Sequence, residues 1–269
     1  SFSKHTETGS IRGLFLAILS LGYIVSPVIG GAILAHYSFQ ALYIVASCTL
    51  IPFLYFLHKY LMHIKEPAYT SVDIFGAIRT VLRNKNLRSV FIADLLVESF
   101  YSTMIIYSPM YLTTLGISLT TYMTYILPIA LIPLVALPYE LGFLADSKHG
   151  EKNILIIGLL IMVVTTFLCV VITSANPLVW AVLLFVSRVG TSLAETMSHT
   201  YFFKKVGPED ASLTALFMNL RGISIIIVGS VGFTIAPLLS DRPQLMFIIL
   251  GCAILWGISP ILTMKERHA

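Results

Sequence analysis

Apolar residues fill this chain in long blocks separated by short polar gaps, the blocks running over 13–35, 39–58, 89–112, 120–141, 153–173, 178–203, 213–239 and 244–263. Each reaches the ~20 residues with which a helix crosses ~30 Å of hydrocarbon. The pattern therefore predicts an all-α polytopic membrane protein with eight transmembrane helices. Basic residues collect in every second gap: Lys4 and Arg12; Lys59, Lys65, Arg79, Arg83, Lys85 and Arg88; Lys148 and Lys152; Lys204 and Lys205; Lys265 and Arg267. That accounts for fourteen of the seventeen Lys and Arg residues. The opposite gaps hold only Arg242, while Arg188 and Arg221 lie inside spans. Because cytoplasmic loops concentrate Lys and Arg, both termini are predicted to be cytoplasmic.

Composition narrows the solvent. Hydrophobic residues make up 57% of the chain and charged residues 11%, against about 25% charged in ordinary soluble domains. Mean hydropathy is +0.89. The net charge of +4 follows from the distribution of basic residues between spans, so no nucleic-acid partner is expected. Cys48, Cys169 and Cys252 sit in apolar spans without paired spacing, which supports neither a disulfide framework nor a metal site. No cofactor is expected. The chain opens with Ser1 rather than Met and reads as a fragment of a longer protein.

Two regions echo one another at an offset of about 210 residues. Arg12-Gly13, Gly22, Pro27 and Gln40 to Val45 are answered by Arg221-Gly222, Gly232, Pro237 and Gln244 to Ile249. A chance echo is one reading. The other is an internal duplication of the kind that builds transporter folds. On that reading residues 1–58 are the last two helices of one six-helix bundle, 59–88 a cytoplasmic linker, and 89–269 a complete second bundle. Four helices would then precede the chain. Within the linker, Thr70-Ser71-Val72-Asp73 resembles a helix start with an acidic cap. Ile74, Phe75, Ile78, Val81 and Leu82 recur at helical spacing, as suits an amphipathic helix on the cytoplasmic membrane face.

The run Gly142-Phe143-Leu144-Ala145-Asp146-Ser147-Lys148-His149-Gly150-Glu151-Lys152 lies in the cytoplasmic gap between the fourth and fifth spans. Gly22-Tyr23-Ile24-Val25-Ser26-Pro27-Val28-Ile29-Gly30-Gly31 lies in the first. The first run resembles the Gly, Asp and basic loop of the major facilitator superfamily, with one extra residue between Asp146 and Gly150 and with Ser147 and Glu151 where basic residues are usual. The second resembles that family's fifth-helix antiporter signature, Ser26 standing in place of the Gly before Pro27. The resemblance spans the whole chain, as the fifth to twelfth helices of a secondary transporter. It implies that Gly142, Asp146, Lys148, Gly150 and Lys152 form a cytoplasmic gate latch, with the lysines holding the loop at the anionic surface. It also implies that Gly22, Pro27, Gly30 and Gly31 make a hinge or tight seam with the Pro-rich fourth span. A short polar turn and a purely structural kink are the plainer alternatives.

Ionisable groups inside spans cost about 2.5 to 3.5 kcal/mol each on insertion scales, so they tend to face a partner or a wet cavity. Asp94 and Glu98 are four apart on one face of the third span, continued by Tyr101 and Ser102. The sixth span holds Arg188 and Glu195, with His199 one turn further on. Glu98, Arg188 and Glu195 fall near mid-depth. Asp94 also suits an interfacial charge facing Arg88 or the linker lysines, and Arg221 a helix entrance from which it snorkels outward. Asn219 suits a hydrogen bond to another helix. Tyr107, Tyr122, Tyr125 and Trp180 fit an interfacial aromatic belt. By the resemblance, the third and sixth spans line the central cavity. Asp94, Glu98, Tyr101, Arg188 and Glu195 are then the candidate pathway and coupling residues, with Glu98 and Glu195 as proton or cation carriers and Arg188 pairing with one of them or with an anionic substrate. A static ion pair that stabilises the bundle is the competing role.

The function expected is alternating-access transport of a small solute, driven by a proton or ion gradient, with efflux antiport preferred over uptake symport. A membrane-embedded lipid enzyme is a weaker alternative, since His-Glu-x-x-His and Gly-x-Ser-x-Gly runs are lacking. The expected setting is the plasma or bacterial inner membrane, with the lipid bilayer, a small-molecule substrate and protons as partners. Oligomeric state and substrate identity stay open.

Overall fold

The computed structural model describes residues 22, 25–61, 73–145, 151–206, 210–239 and 242–264. Among them every regular element is helical: α1 (Val25–His36), α2 (Phe39–Leu61), α3 (Ile74–Arg83), α4 (Lys85–Thr114), α5 (Leu119–Thr121), a π turn (Tyr122–Ile126), α6 (Leu127–Ala145), α7 (Glu151–Val171), α8 (Pro177–Lys205), α9 (Ala211–Met218), α10 (Leu220–Thr234), α11 (Ala236–Leu239) and α12 (Leu245–Leu262). Seven stretches are long and apolar enough to cross a membrane, and α1 is a shorter apolar helix within the first predicted span. The observed bounds of the second to eighth spans lie within about five residues of the sequence blocks, because hydropathy and helix length answer to the same bilayer thickness.

Caps set the ends. Asn84 starts α4 by accepting from the backbone N–H groups of Asn86 and Leu87. Gly116, at φ 88°, ends it by letting the Ile117 N–H reach back to the Leu112 carbonyl at 3.0 Å. Asn176 caps α8 just ahead of Pro177, whose missing N–H costs nothing in the first turn. Asp73 caps α3 through the Gly76 N–H at 2.8 Å, as the linker sequence predicts. Ala77 and Val81 of α3 are buried while Ile74, Phe75 and Leu82 are exposed. The helix packs on α4 and α9, and the Asp73 N–H donates to Ser212 Oγ at 3.1 Å.

Two spans are broken rather than smooth. In the fourth, Pro128 cannot donate to the chain behind it, and the preceding turn widens so that the Leu127 N–H bonds to Tyr122 O. In the seventh, α9 stops at Asn219, whose Nδ2 donates to the Ala215 carbonyl at 2.8 Å. That side chain serves its own helix end instead of crossing to a neighbour. α10 restarts at Leu220, and Arg221 is thereby set at the beginning of the new segment.

Close helix approach depends on glycine. A Cβ on Gly158 would lie 2.7 Å from the Gly190 carbonyl oxygen, and one on Gly190 would lie 2.8 Å from the Gly158 oxygen, so α7 and α8 touch backbone to backbone there. Gly31 of α1 meets the π turn in the same way, with Thr124 Cγ2 at 2.6 Å and Met123 Cβ at 3.0 Å from its virtual Cβ. Tyr107 and Tyr122 are buried rather than set in a lipid-facing belt; Tyr122 Oη lies 2.8 Å from Ser108 Oγ. Trp180 is fully buried too, its Nε1–H donating to the Ser174 carbonyl at 2.7 Å. Only Tyr125 of that expected group is exposed. Aromatic rings with a polar tip serve equally well as buried caps on loop carbonyls and hydroxyls, and sequence depth alone does not separate the two uses.

Because Gly190 faces backbone, Gly190→Val is expected to destabilise the folded protein by at least about 1–3 kcal/mol through overpacking. Gly229→Ala, with nothing within 4 Å of its virtual Cβ, is expected to stay within about 0.5 kcal/mol. Reversible unfolding in mixed micelles measures both.

Candidate functional site

Three helices bring the membrane charges together: α4 carries Asp94, Glu98 and Tyr101; α8 carries Arg188, Glu195, Ser198 and His199; α10 carries Arg221. α4 contacts both α8 and α10. The four-residue spacing of Asp94 and Glu98 places them one turn apart on the α4 face that the partners share.

The first rung, toward the start of α4, is built on Asp94. It is 2% exposed, accepts from Ser198 Oγ at 2.8 Å, and lies 3.3 Å from His199 Nε2. It is therefore no interfacial charge facing Arg88, since its oxygens turn inward to α8. One turn on, Glu98 faces Arg221 Nε at 4.0 Å, and its Oε2 has no hydrogen-bond partner among the described residues. Arg221 is the second residue of α10. Next to Glu98, Ser102 Oγ lies 3.0 Å from Ser224 Oγ of α10.

Tyr101 joins the acid to the cation. Its hydroxyl donates to Glu195 Oε2 at 2.6 Å, and the Arg188 guanidinium carbon sits 5.0 Å from the centre of its ring and 5.6 Å from that of Phe100. Arg188 is 3% exposed, and its Nη1 has no hydrogen-bond partner among the described residues. It makes a salt bridge with neither Glu98 nor Glu195, although Glu195 acts on it electrostatically. A desolvated cation–π contact is worth ~2 kcal/mol, whereas a buried ion loses several kcal/mol on leaving water. The aromatic contacts alone leave this guanidinium undercompensated.

Of the gate-loop residues, Gly142 lies in the backbone of α6, and Asp146, Lys148 and Gly150 fall outside the described residues. Lys152 reaches a neighbouring helix end. Its Nζ donates to the carbonyls of Leu262 at 2.7 Å and Met264 at 3.1 Å, capping the end of α12 where cations are favoured. Glu151 pairs with Lys204 at 2.7 Å, which gives a partner to the acid that departs from the basic pattern. Of the seam residues, Gly31 makes the tight contact, a Cβ on Gly30 would lie 3.6 Å from Leu42 Cδ1, and nothing lies within 4 Å of a Cβ on Gly22. Pro27 is held within α1.

Sequence reasoning left Ser198, His199 and Arg221 outside the cluster. The signal for the first two was present, since Glu195, Ser198 and His199 recur at i, i+3 and i+4 and must share one face of α8. No such spacing links Arg221 to Glu98.

Asp94→Ala is expected to cost roughly 1–3 kcal/mol of folding stability, because Ser198 and His199 lose their common acceptor. A charge at the membrane edge would shift it by less than about 0.5 kcal/mol. Reversible unfolding in mixed micelles distinguishes the two.

The family model described as the Major Facilitator Superfamily matches residues 1–229. No curated protein matches the chain.

Proposed function

The chain belongs to the major facilitator superfamily, and on that footing we propose that it carries its small-molecule substrate by alternating access, driven by a proton or ion gradient, with efflux antiport as the working direction. The protein is an integral membrane protein of a secondary-transporter family. In this reading residues 1–58 end one six-helix bundle, 59–88 link the halves on the cytoplasmic side, and 89–269 form the second bundle. The two bundles rock about a site near mid-membrane. The termini face the cytoplasm of a plasma or bacterial inner membrane.

The observation that carries this reading is the grouping of Glu98, Tyr101, Arg188, Glu195 and Arg221 on α4 and the two helices that pack against it. A carboxylate that exchanges an arginine for a water-filled cavity can load and release a proton once per cycle. Glu98 supports such a role because its cation is held at 4.0 Å and one oxygen is uncommitted. Glu195 supports it through a single tyrosine that also contacts Arg188. The close seam at Gly31 and the π turn supports a hinge between α1 and the fourth span. Gly142, Asp146, Lys148 and Gly150 are assigned the cytoplasmic latch by the loop's resemblance to the family pattern. The antiport direction rests on the Gly22 to Gly31 run.

Glu98→Gln and Glu195→Gln are each expected to abolish accumulation of solute driven by an imposed pH gradient in proteoliposomes, while solute counterflow without a gradient persists. Unchanged driven accumulation in both variants would remove the carboxylates from the coupling role.

A further inference from the structure

We propose that Arg188 and Ser192 form a binding site for the carboxylate of an organic-anion substrate. The proposal rests on the transport reading above and names its substrate class. The two residues stand four apart on α8 and so share one face, one turn from each other. Both are essentially buried, at 3% and 1% exposure. Arg188 Nη1 and Ser192 Oγ each lack a hydrogen-bond partner among the described residues. Two buried polar groups one helical turn apart, each without an acceptor, are costly inside a membrane bundle unless something accepts from them.

Among the described residues, the acids of α4 and α8 face other groups. Asp94 is taken by Ser198 and His199, Glu98 faces Arg221, and Glu195 accepts from Tyr101. Phe100 and Tyr101 lie against the guanidinium and give its Nη1 no acceptor. A planar carboxylate suits what remains, because a guanidinium offers in-plane N–H donors and a neighbouring hydroxyl can donate to the second oxygen. Tyr101 is half-buried, and its hydroxyl is on Glu195. Substrate entering beside its ring would therefore disturb the acid proposed to carry the proton, which ties binding to coupling. Exchange of an outgoing anion for an incoming proton also moves positive charge inward in both halves of the cycle.

The test uses the full-length protein purified in detergent, with benzoate as the probe and benzamide as its uncharged counterpart of similar shape. Melting temperature is followed at constant ionic strength set with chloride. Benzoate is expected to raise the melting temperature in a saturable way and benzamide is not. Arg188→Gln is expected to weaken the apparent benzoate affinity roughly ten- to hundredfold, the loss of a charge-assisted hydrogen bond, and Ser192→Ala is expected to weaken it by a smaller factor. Arg188→Lys retains the charge without the planar fork and should fall between wild type and Arg188→Gln, so the test does not depend on one variant folding. Equal shifts with benzoate and benzamide, no shift with benzoate, or an undiminished benzoate shift in Arg188→Gln would each overturn the proposal. The measurement needs no gradient. Benzoate binding with no gradient-driven flux would defeat the coupling reading and leave this site standing, and driven flux without benzoate binding would do the reverse.

Discussion

Charge inside hydrocarbon must be answered by the protein itself, and the packing of α4, α8 and α10 follows from that constraint. Three acids and two arginines occupy these helices at depths where lipid offers no partner. Their contacts are almost all between helices: α4 to α8 through Asp94 and Tyr101, and α4 to α10 through Glu98 and Ser102. A helix rotated on its axis would turn these groups toward acyl chains. The charges therefore fix the facing of the helices, in a medium where the hydrophobic effect gives little preference for one apolar face over another.

Backbone irregularity supplies the positions that the charges require. The interruption at Asn219 starts α10 anew and sets Arg221 opposite Glu98. The π turn before Pro128 supplies the surface on which Gly31 rests, so the tightest contact between α1 and the fourth span falls where that span is least regular. Elsewhere helices run close, as at Gly158 and Gly190. Rigid contact within one set of helices, with deformable turns at its edge, is the division of labour that a rocking transporter needs. At the start of α7, the Lys152 bonds to the end of α12 and the Glu151–Lys204 pair bind α7, α8 and α12 to one another.

The spans, the cap of α3 and the pairing of Asp94 with Glu98 on one face were legible because bilayer thickness and helical pitch write directly into sequence. Partners across helices were not. Periodicity says that Asp94 and Glu98 look the same way, but not that Ser198 and His199 look back, nor that Arg221 comes in from a helix more than a hundred residues downstream. Trp180 and Tyr122 were assigned to the membrane surface by depth, yet their polar tips found a loop carbonyl and a buried serine. Lys152 carried the sign expected of a cytoplasmic lysine, but its bonds to the end of α12 were not legible.

Tyr101 stands at the centre of this arrangement, one side chain touching both the acid and the cation of α8. The most direct measurement is a double-mutant cycle on Tyr101→Phe and Glu195→Gln, read by reversible unfolding of the full-length protein in mixed micelles. A pair in direct contact is expected to show a coupling energy of about 0.5–3 kcal/mol. Additive single effects would mean that α4 and α8 are not joined through this contact, and would contradict a shared site at that depth.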